Sequence, residues 1–178
     1  EALMYSAIAQ KDFPRGINRA TNVMEKGNAD QATVAQYNRG LMNLALGDYK
    51  QGFIDYDTRM RMGTTDDILR KKIGTRPLWD GKPCNHLLVY GEQGMGDLFM
   101  FSRYIRQLSS SGLAQKITFE VPQEMLSFMH HNFGEIVEVV AQTDEITQSD
   151  EHVLLVSLAR IFKTTANDIP LSEGYLEA

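Results

Sequence analysis

The chain has 178 residues, 43% hydrophobic and 23% charged, a balance that suits one ordinary globular core or two small units sharing an interface. Its net charge of −5 argues against nucleic-acid binding, which needs a concentrated basic surface. One cysteine, Cys84, excludes an intrachain disulfide, and no apolar run approaches the ~20 residues that cross a bilayer.

The first third reads as helix. Phe13, Ile17, Ala20 and Met24 recur at spacings of three and four, which places them on one helical face. Val34, Tyr37, Leu41 and Leu44 mark a second helix, with Asp30 or Thr33 as its N-cap, and Gly47-Asp48 ends it. A third helix carries Tyr49, Phe53, Tyr56 and Met60. Each has a single apolar stripe and must pack on a neighbour to be stable. The segment Ala9-Gln10-Lys11-Asp12-Phe13 is echoed by Leu46-Gly47-Asp48-Tyr49, with Phe13 and Tyr49 lying 36 residues apart. Helical-hairpin arrays have periods in the mid-thirties.

Residues 1–62 are therefore assigned to helical repeats, 63–86 to a linker and 87–178 to an α/β domain. The linker is punctuated by Gly63, Gly74, Pro77, Gly81 and Pro83. A basic stretch, Arg59, Arg61, Arg70, Lys71, Lys72 and Arg76, runs into it and is read as a solvated helix end. Trp79, the only tryptophan, is read as a structural plug between domains. From His86 the pattern alternates strand with helix. Leu87–Tyr90, Ile117–Val121, Ile136–Val140 and Val153–Val156 are the strands. One helix carries Leu98, Phe101, Ile105 and Leu108, and a second, opened by Pro122, carries Met125, Leu126 and Met129. That order implies a mostly parallel, Rossmann-like sheet.

The loop Gly91-Glu92-Gln93-Gly94-Met95-Gly96-Asp97 follows the first strand, at the end where open α/β sheets bind ligands. Its glycines allow close backbone approach or positive φ. The spacing is Gly-x-x-Gly-x-Gly, not the Gly-x-Gly-x-x-Gly of a dinucleotide fingerprint, and Asp97 would repel a pyrophosphate at the helix start. Two roles stay open for Asp97: an acid that caps the helix, or a general base for a hydroxyl. His130-His131 are adjacent and point about 100° apart on a helix, so they cannot share a metal, and no metal site is expected. No motif marks Cys84 as a nucleophile. Met95, Met100, Met125 and Met129 are read as adaptable core filling.

Tyr37-Asn38-Arg39-Gly40 with Ala45, Gly47, Asp48 and Tyr49 resembles a tetratricopeptide repeat. The blocks that follow are Asp55–Arg59, Arg76–Gly81, Leu87–Asp97, Phe101–Tyr104, Leu155–Leu158 and Ile169-Pro170. Together, from residue 35 onward, they resemble bacterial tetratricopeptide-repeat proteins fused to a glycosyltransferase-like domain. The resemblance implies the N-terminal, acceptor-side half of a GT-B fold, with the Gly96-Asp97 pair similar to that of heptosyltransferases. On that resemblance Asp97 is the catalytic candidate, and Gly91, Glu92, Gln93, Gly94 and Gly96 form the substrate-binding loop. Ala178 falls where the family would continue into its donor-binding half. The chain alone is therefore expected to be inactive and to hold no cofactor, with a nucleotide-sugar donor expected only for the full-length protein. The repeats are expected to meet a protein or polysaccharide acceptor. The alternative is a tetratricopeptide-type interaction module on a non-catalytic α/β scaffold, and a nucleotide-binding Rossmann domain is a weaker third. Glu1 in place of Met is read as loss of residues upstream. With no basic flank ahead of an apolar core, no signal peptide is expected, and the implied location is cytoplasmic.

Overall fold

A computed structural model describes residues 2–62, 76–92, 94–142 and 148–177. The chain divides into two compact units, Glu1–Ile68 with Lys163–Asp168, and Leu69–Phe162 with Ile169–Ala178. Among the described residues no helix is long and apolar enough to cross a membrane. Gly63, Arg70, Lys71, Lys72 and Gly74 lie outside the described residues.

The helical unit contains α1 (Ala2–Ala9), α2 (Phe13–Lys26), α3 (Ala29–Ala45) and α4 (Tyr49–Tyr56), followed by a 3₁₀ turn over Asp57–Arg61. The faint echo in the sequence is a close geometric repeat. Asp12 caps α2 by accepting from Arg15 N at 3.3 Å, and Asp48 caps α4 by accepting from Gln51 N at 3.2 Å. Their dihedrals nearly coincide, φ −85°, ψ 69° against φ −78°, ψ 72°. The preceding turns match bond for bond: Asp12 N donates to Ala7 O and Lys11 N to Ile8 O, as Asp48 N donates to Asn43 O and Gly47 N to Leu44 O. Each turn needs a left-handed residue, supplied by Lys11 (φ 57°) in the first copy and Gly47 (φ 84°) in the second.

Packing in this unit rests on small residues. Met4, Ala20, Ala35 and Met42 form a buried cluster, with Phe13, Ile17 and Met24 packed against it, as the stripe of α2 predicts. On α3 the buried residues are Ala35, Gly40, Met42 and Asn43, while Leu41 of the expected stripe is exposed. The reason is Gly40: a Cβ there would stand 2.7 Å from Tyr56 N, so α4 rides directly on that glycine and turns the helix away from the expected face. The N-cap of α3 is Asn28, in a capping box with Gln31, in place of Asp30 or Thr33. A partly buried ion pair joins α3 to α4. Arg39 Nε and Nη2 donate to the two oxygens of Asp55 at 2.7 and 2.9 Å, and Gln36 and Gln51 add bonds to Oδ1. The carboxylate holds the Arg39 proton more tightly than usual, first through the hydrogen bond. The helix expected to reach Met60 stops at Tyr56, where Thr58 Oγ1 bonds back to Asp55 O. Arg59, expected to be solvated, is buried, paired with Asp57 at 2.6 Å and seated over the Tyr56 ring at 4.8 Å.

The α/β unit contains β1 (Cys84–Tyr90), α5 (Met95–Phe101), α6 (Arg103–Ser111), β2 (Ala114–Val121), α7 (Leu126–Phe133), β3 (Glu138–Ala141), β4 (Glu151–Leu154) and α8 (Leu158–Ile161). The four strands are all parallel, in the order β3-β2-β1-β4, which fits a Rossmann-like sheet. Leu98, Phe101, Ile105 and Leu108 are all buried, but the single helix expected for them breaks at Ser102 into α5 and α6. Ser102 Oγ donates to Phe99 O at 3.0 Å and Ile105 N to Ser102 O, a tightened turn that the stripe alone does not reveal. The last strand ends earlier than expected, at Leu154, and Leu155–Ser157 form a 3₁₀ turn. Trp79 is fully buried within this unit, donating from Nε1 to Lys82 O at 2.7 Å and from its backbone to His152 O. Strand β1 begins at Cys84, inside the stretch read as linker.

One sheet face is apolar, and on it Phe133 of α7 meets Phe119 edge-on. The alternate residues of β2, Thr118 and Glu120, are polar and buried on the opposite face. There His86 Nε2 lies 2.8 Å from Thr118 Oγ1, which donates to Glu138 Oε2 at 2.7 Å, and Lys116 pairs with that same oxygen. Because the threonine proton goes to Glu138, Nε2 must carry the imidazole proton. Lys11→Gly should raise the stability of the helical unit by about 0.5 kcal/mol, and Gly47→Lys should lower it by about 1 kcal/mol, read from urea midpoints at unchanged slope.

Candidate functional site

Strand β1 lies between β2 and β4, so the order reverses around it and a crevice is expected outside its carboxyl end. The loop that leaves β1 there carries the residues singled out by sequence. Its first glycine is fixed by sterics: Gly91 N donates to Glu120 O at 2.7 Å, and a Cβ on Gly91 would stand 2.8 Å from that oxygen and 3.1 Å from Leu98 Cδ1. Gln142, just beyond β3, donates from Nε2 to Gly91 O at 2.5 Å and from its backbone to Val121 O at 2.7 Å. The carboxyl ends of β1, β2 and β3 are thereby tied into one rim.

Gly94 and Gly96 differ from Gly91. Both are exposed. A Cβ on Gly96 would meet nothing within 4 Å, and one on Gly94 would meet only Asp97 Oδ2 at 3.9 Å. None of the three has a left-handed φ; among the described glycines that conformation belongs to Gly47, Gly81 and Gly112. Of the three, only Gly91 needs its small size, and none needs positive φ. Gln93 lies outside the described residues. Glu92 is buried, 8% exposed, and is engaged with a partner.

Asp97 stands third in α5, whose N-cap is Gly94. It is half-buried, and no hydrogen bond or ion pair engages its carboxylate among the described residues, while α5 has no side-chain cap. The acid adds a favourable charge to the first turn without serving as the cap residue. Behind the loop, Tyr90 and Glu120 face one another across β1 and β2 and are both buried. Burial, and then the Glu120 charge, push the Tyr90 hydroxyl up to about 12, so it stays a neutral donor across the physiological range. Tyr90, Glu120 and Gln142 were missed as site residues by sequence reasoning. The alternation Ile-Thr-Phe-Glu-Val in β2 was the available signal, since a parallel strand buried on both faces is ordinarily apolar throughout.

A concavity of about 390 Å³ opens at the other end of the sheet, beside Pro83, Cys84, Asn85, Asp150 and Glu151. Burial, and then Glu151 and Asp150, push the Cys84 thiol up, which keeps it protonated. Among the described residues no group of three or more His, Cys, Asp or Glu side chains is placed to hold a metal.

Comparisons with family models, with curated proteins and with solved structures return no match to this chain.

Gly91→Ala should cost about 2 kcal/mol through the clash with Glu120 O, whereas Gly96→Ala should be neutral or stabilising by about 0.5 kcal/mol; thermal and urea unfolding of both variants test the contrast. Because Tyr90 titrates higher in the folded chain than at its ordinary value of 10.0, its contribution is complete below pH 10 and is lost as pH rises toward 12. Tyr90→Phe should remove up to about 3 kcal/mol of that alkaline loss, measured as the difference between the two pH–stability curves.

Proposed function

We propose that the chain is the acceptor-side part of a glycosyltransferase-like protein of GT-B type, with Asp97 as the base that takes a proton from an acceptor hydroxyl. The supporting observation is the Asp97 carboxylate, half-exposed just after two open glycines at the sheet's switch point and uncommitted among the described residues. A general base needs a carboxylate within hydrogen-bond reach of its substrate, and one not spent on the protein can provide it. Gly94 and Gly96 would let a bulky polyhydroxylated acceptor approach the backbone, and Gly91 and Glu92 would hold the loop's path. No cofactor is assigned to this chain. The nucleotide sugar would be held by a second α/β half.

For the helical unit we propose tetratricopeptide-like repeats that recognise a protein or polysaccharide acceptor. The close geometric recurrence at an offset of 36 residues supports this reading, as does the exposure of Leu41, Leu46 and Ile54. If that unit carries the whole function, the α/β unit is a scaffold.

In the protein assembled with its donor half, Asp97→Asn should cut turnover by about 10²–10⁴-fold, followed as nucleoside diphosphate release, with an unchanged unfolding midpoint. Turnover near normal would reduce Asp97 to a first-turn charge. Titration of this chain alone with a panel of nucleotide-diphosphate sugars should give no binding heat.

A further inference from the structure

The segment Ile169–Glu177 has no secondary structure, yet it belongs to the α/β unit and is held there at three points. At the first, Arg103 Nη1 donates to Pro170 O at 3.4 Å. At the second, the Tyr175 hydroxyl bonds to Phe99 O and reaches Met100 O at 3.2 Å, while its ring lies 4.6 Å from the Arg103 guanidinium. At the third, the buried side chain of Asn132 grips the backbone of one residue from both sides: Oδ1 accepts from Glu177 N at 2.7 Å, and Nδ2 donates to Glu177 O at 3.0 Å. The side chains of residues 171–174 between these points are exposed.

This is how a folded surface holds an extended peptide. An Asn amide satisfies both backbone groups of one residue without reading its side chain, and an aromatic anchor nearby supplies selectivity. The anchor also bears on α5. That helix has seven residues, far fewer than the ~12–15 that sustain a helix in isolation. Two of its terminal carbonyls, Phe99 O and Met100 O, are satisfied by Ser102 Oγ, Arg103 Nε and Tyr175 OH. One of those donors belongs to the segment.

We infer that α5, α6 and α7 form a docking groove for an extended peptide, that residues 169–177 fill it in cis as a latch, and that opening the latch loosens α5. The competing ligand is a peptide segment with a tyrosine two residues ahead of the one that Asn132 grips. The inference goes beyond the proposed activity, because it needs no role for Asp97 in proton transfer.

The test uses the full chain and a labelled synthetic peptide of residues 169–178. Tyr175→Ala, with its own segment weakened, should bind the peptide at least about tenfold more tightly than the wild type, whose segment competes. Adding Asn132→Ala to that variant should abolish the gain. Hydrogen exchange supplies the second readout. Tyr175→Phe, which keeps the ring on Arg103 and loses only the hydroxyl, should speed exchange at Leu98 and Ser102 by about tenfold, with β1 and β2 unchanged. Equal or absent peptide binding in wild type and Tyr175→Ala, a gain that survives Asn132→Ala, or unaltered exchange in α5 would each overturn the latch.

Discussion

The path of the loop after β1 depends on one close approach, where the backbone of Gly91 passes Glu120 O with no room for a side chain. The 2.7 Å bond between them continues the β1–β2 ladder one residue beyond the strand, so the chain leaves the sheet at a fixed place and in a fixed direction. Gln142 clamps the same residue from the far side by its carbonyl. With both backbone groups of Gly91 held, the next turn begins at Gly94, and Asp97 falls in the first turn of α5. The position of the acid is thus set by packing at a residue six places earlier, which has no chemistry of its own.

The helical unit is organised by a different economy of space. Gly40 and Gly52 let α3 and α4 approach until backbone nearly touches backbone. Beside the stacked rings of Tyr37 and Tyr56, the Arg39–Asp55 pair with its two glutamines adds a polar join. A bidentate pair with its remaining lone pairs occupied specifies one register, where a greasy interface would tolerate sliding. Gly16, 36 residues before Gly52, is met instead by Met42 of α3, an apolar contact that joins one copy to the next. The two copies share a turn geometry and differ in what fills the contact.

Much of this architecture was legible in the residues, and the exceptions have physical causes. Strand and helix order followed from apolar runs and glycine punctuation, because burial on the sheet's helix-covered face demands them. The 36-residue echo was legible because an N-capping Asp after a left-handed residue leaves few choices of side chain. The break at Ser102 was not, since four buried residues at helical spacing give the same signal whether the helix is continuous or jogged. The buried face of α3 was misjudged because glycine carries no hydrophobic signal, yet a glycine contact decides the rotation. At the candidate site the loop and Asp97 were legible, while Tyr90, Glu120 and Gln142 were not. Their relation arises only once β1, β2 and β3 stand side by side.

The charge at the carboxyl end of the sheet bears on what this fold can bind. In a dinucleotide site the first loop is all glycine and small residues, and the helix behind it offers an unopposed positive end to a phosphate. Here that helix is short, and it carries Asp97 in its first turn. Glu92 is buried in the same loop, and Glu120 is buried beneath Tyr90. Each carboxylate raises the cost of bringing an anion to this rim, and Asp97 already occupies the favourable end of the dipole. Of these, Asp97 is half-exposed and can accept, and hydroxyl groups are donors. A rim that disfavours phosphate and sets one half-exposed acceptor beside an unhindered backbone supports the proposed reading of a neutral polyhydroxylated acceptor.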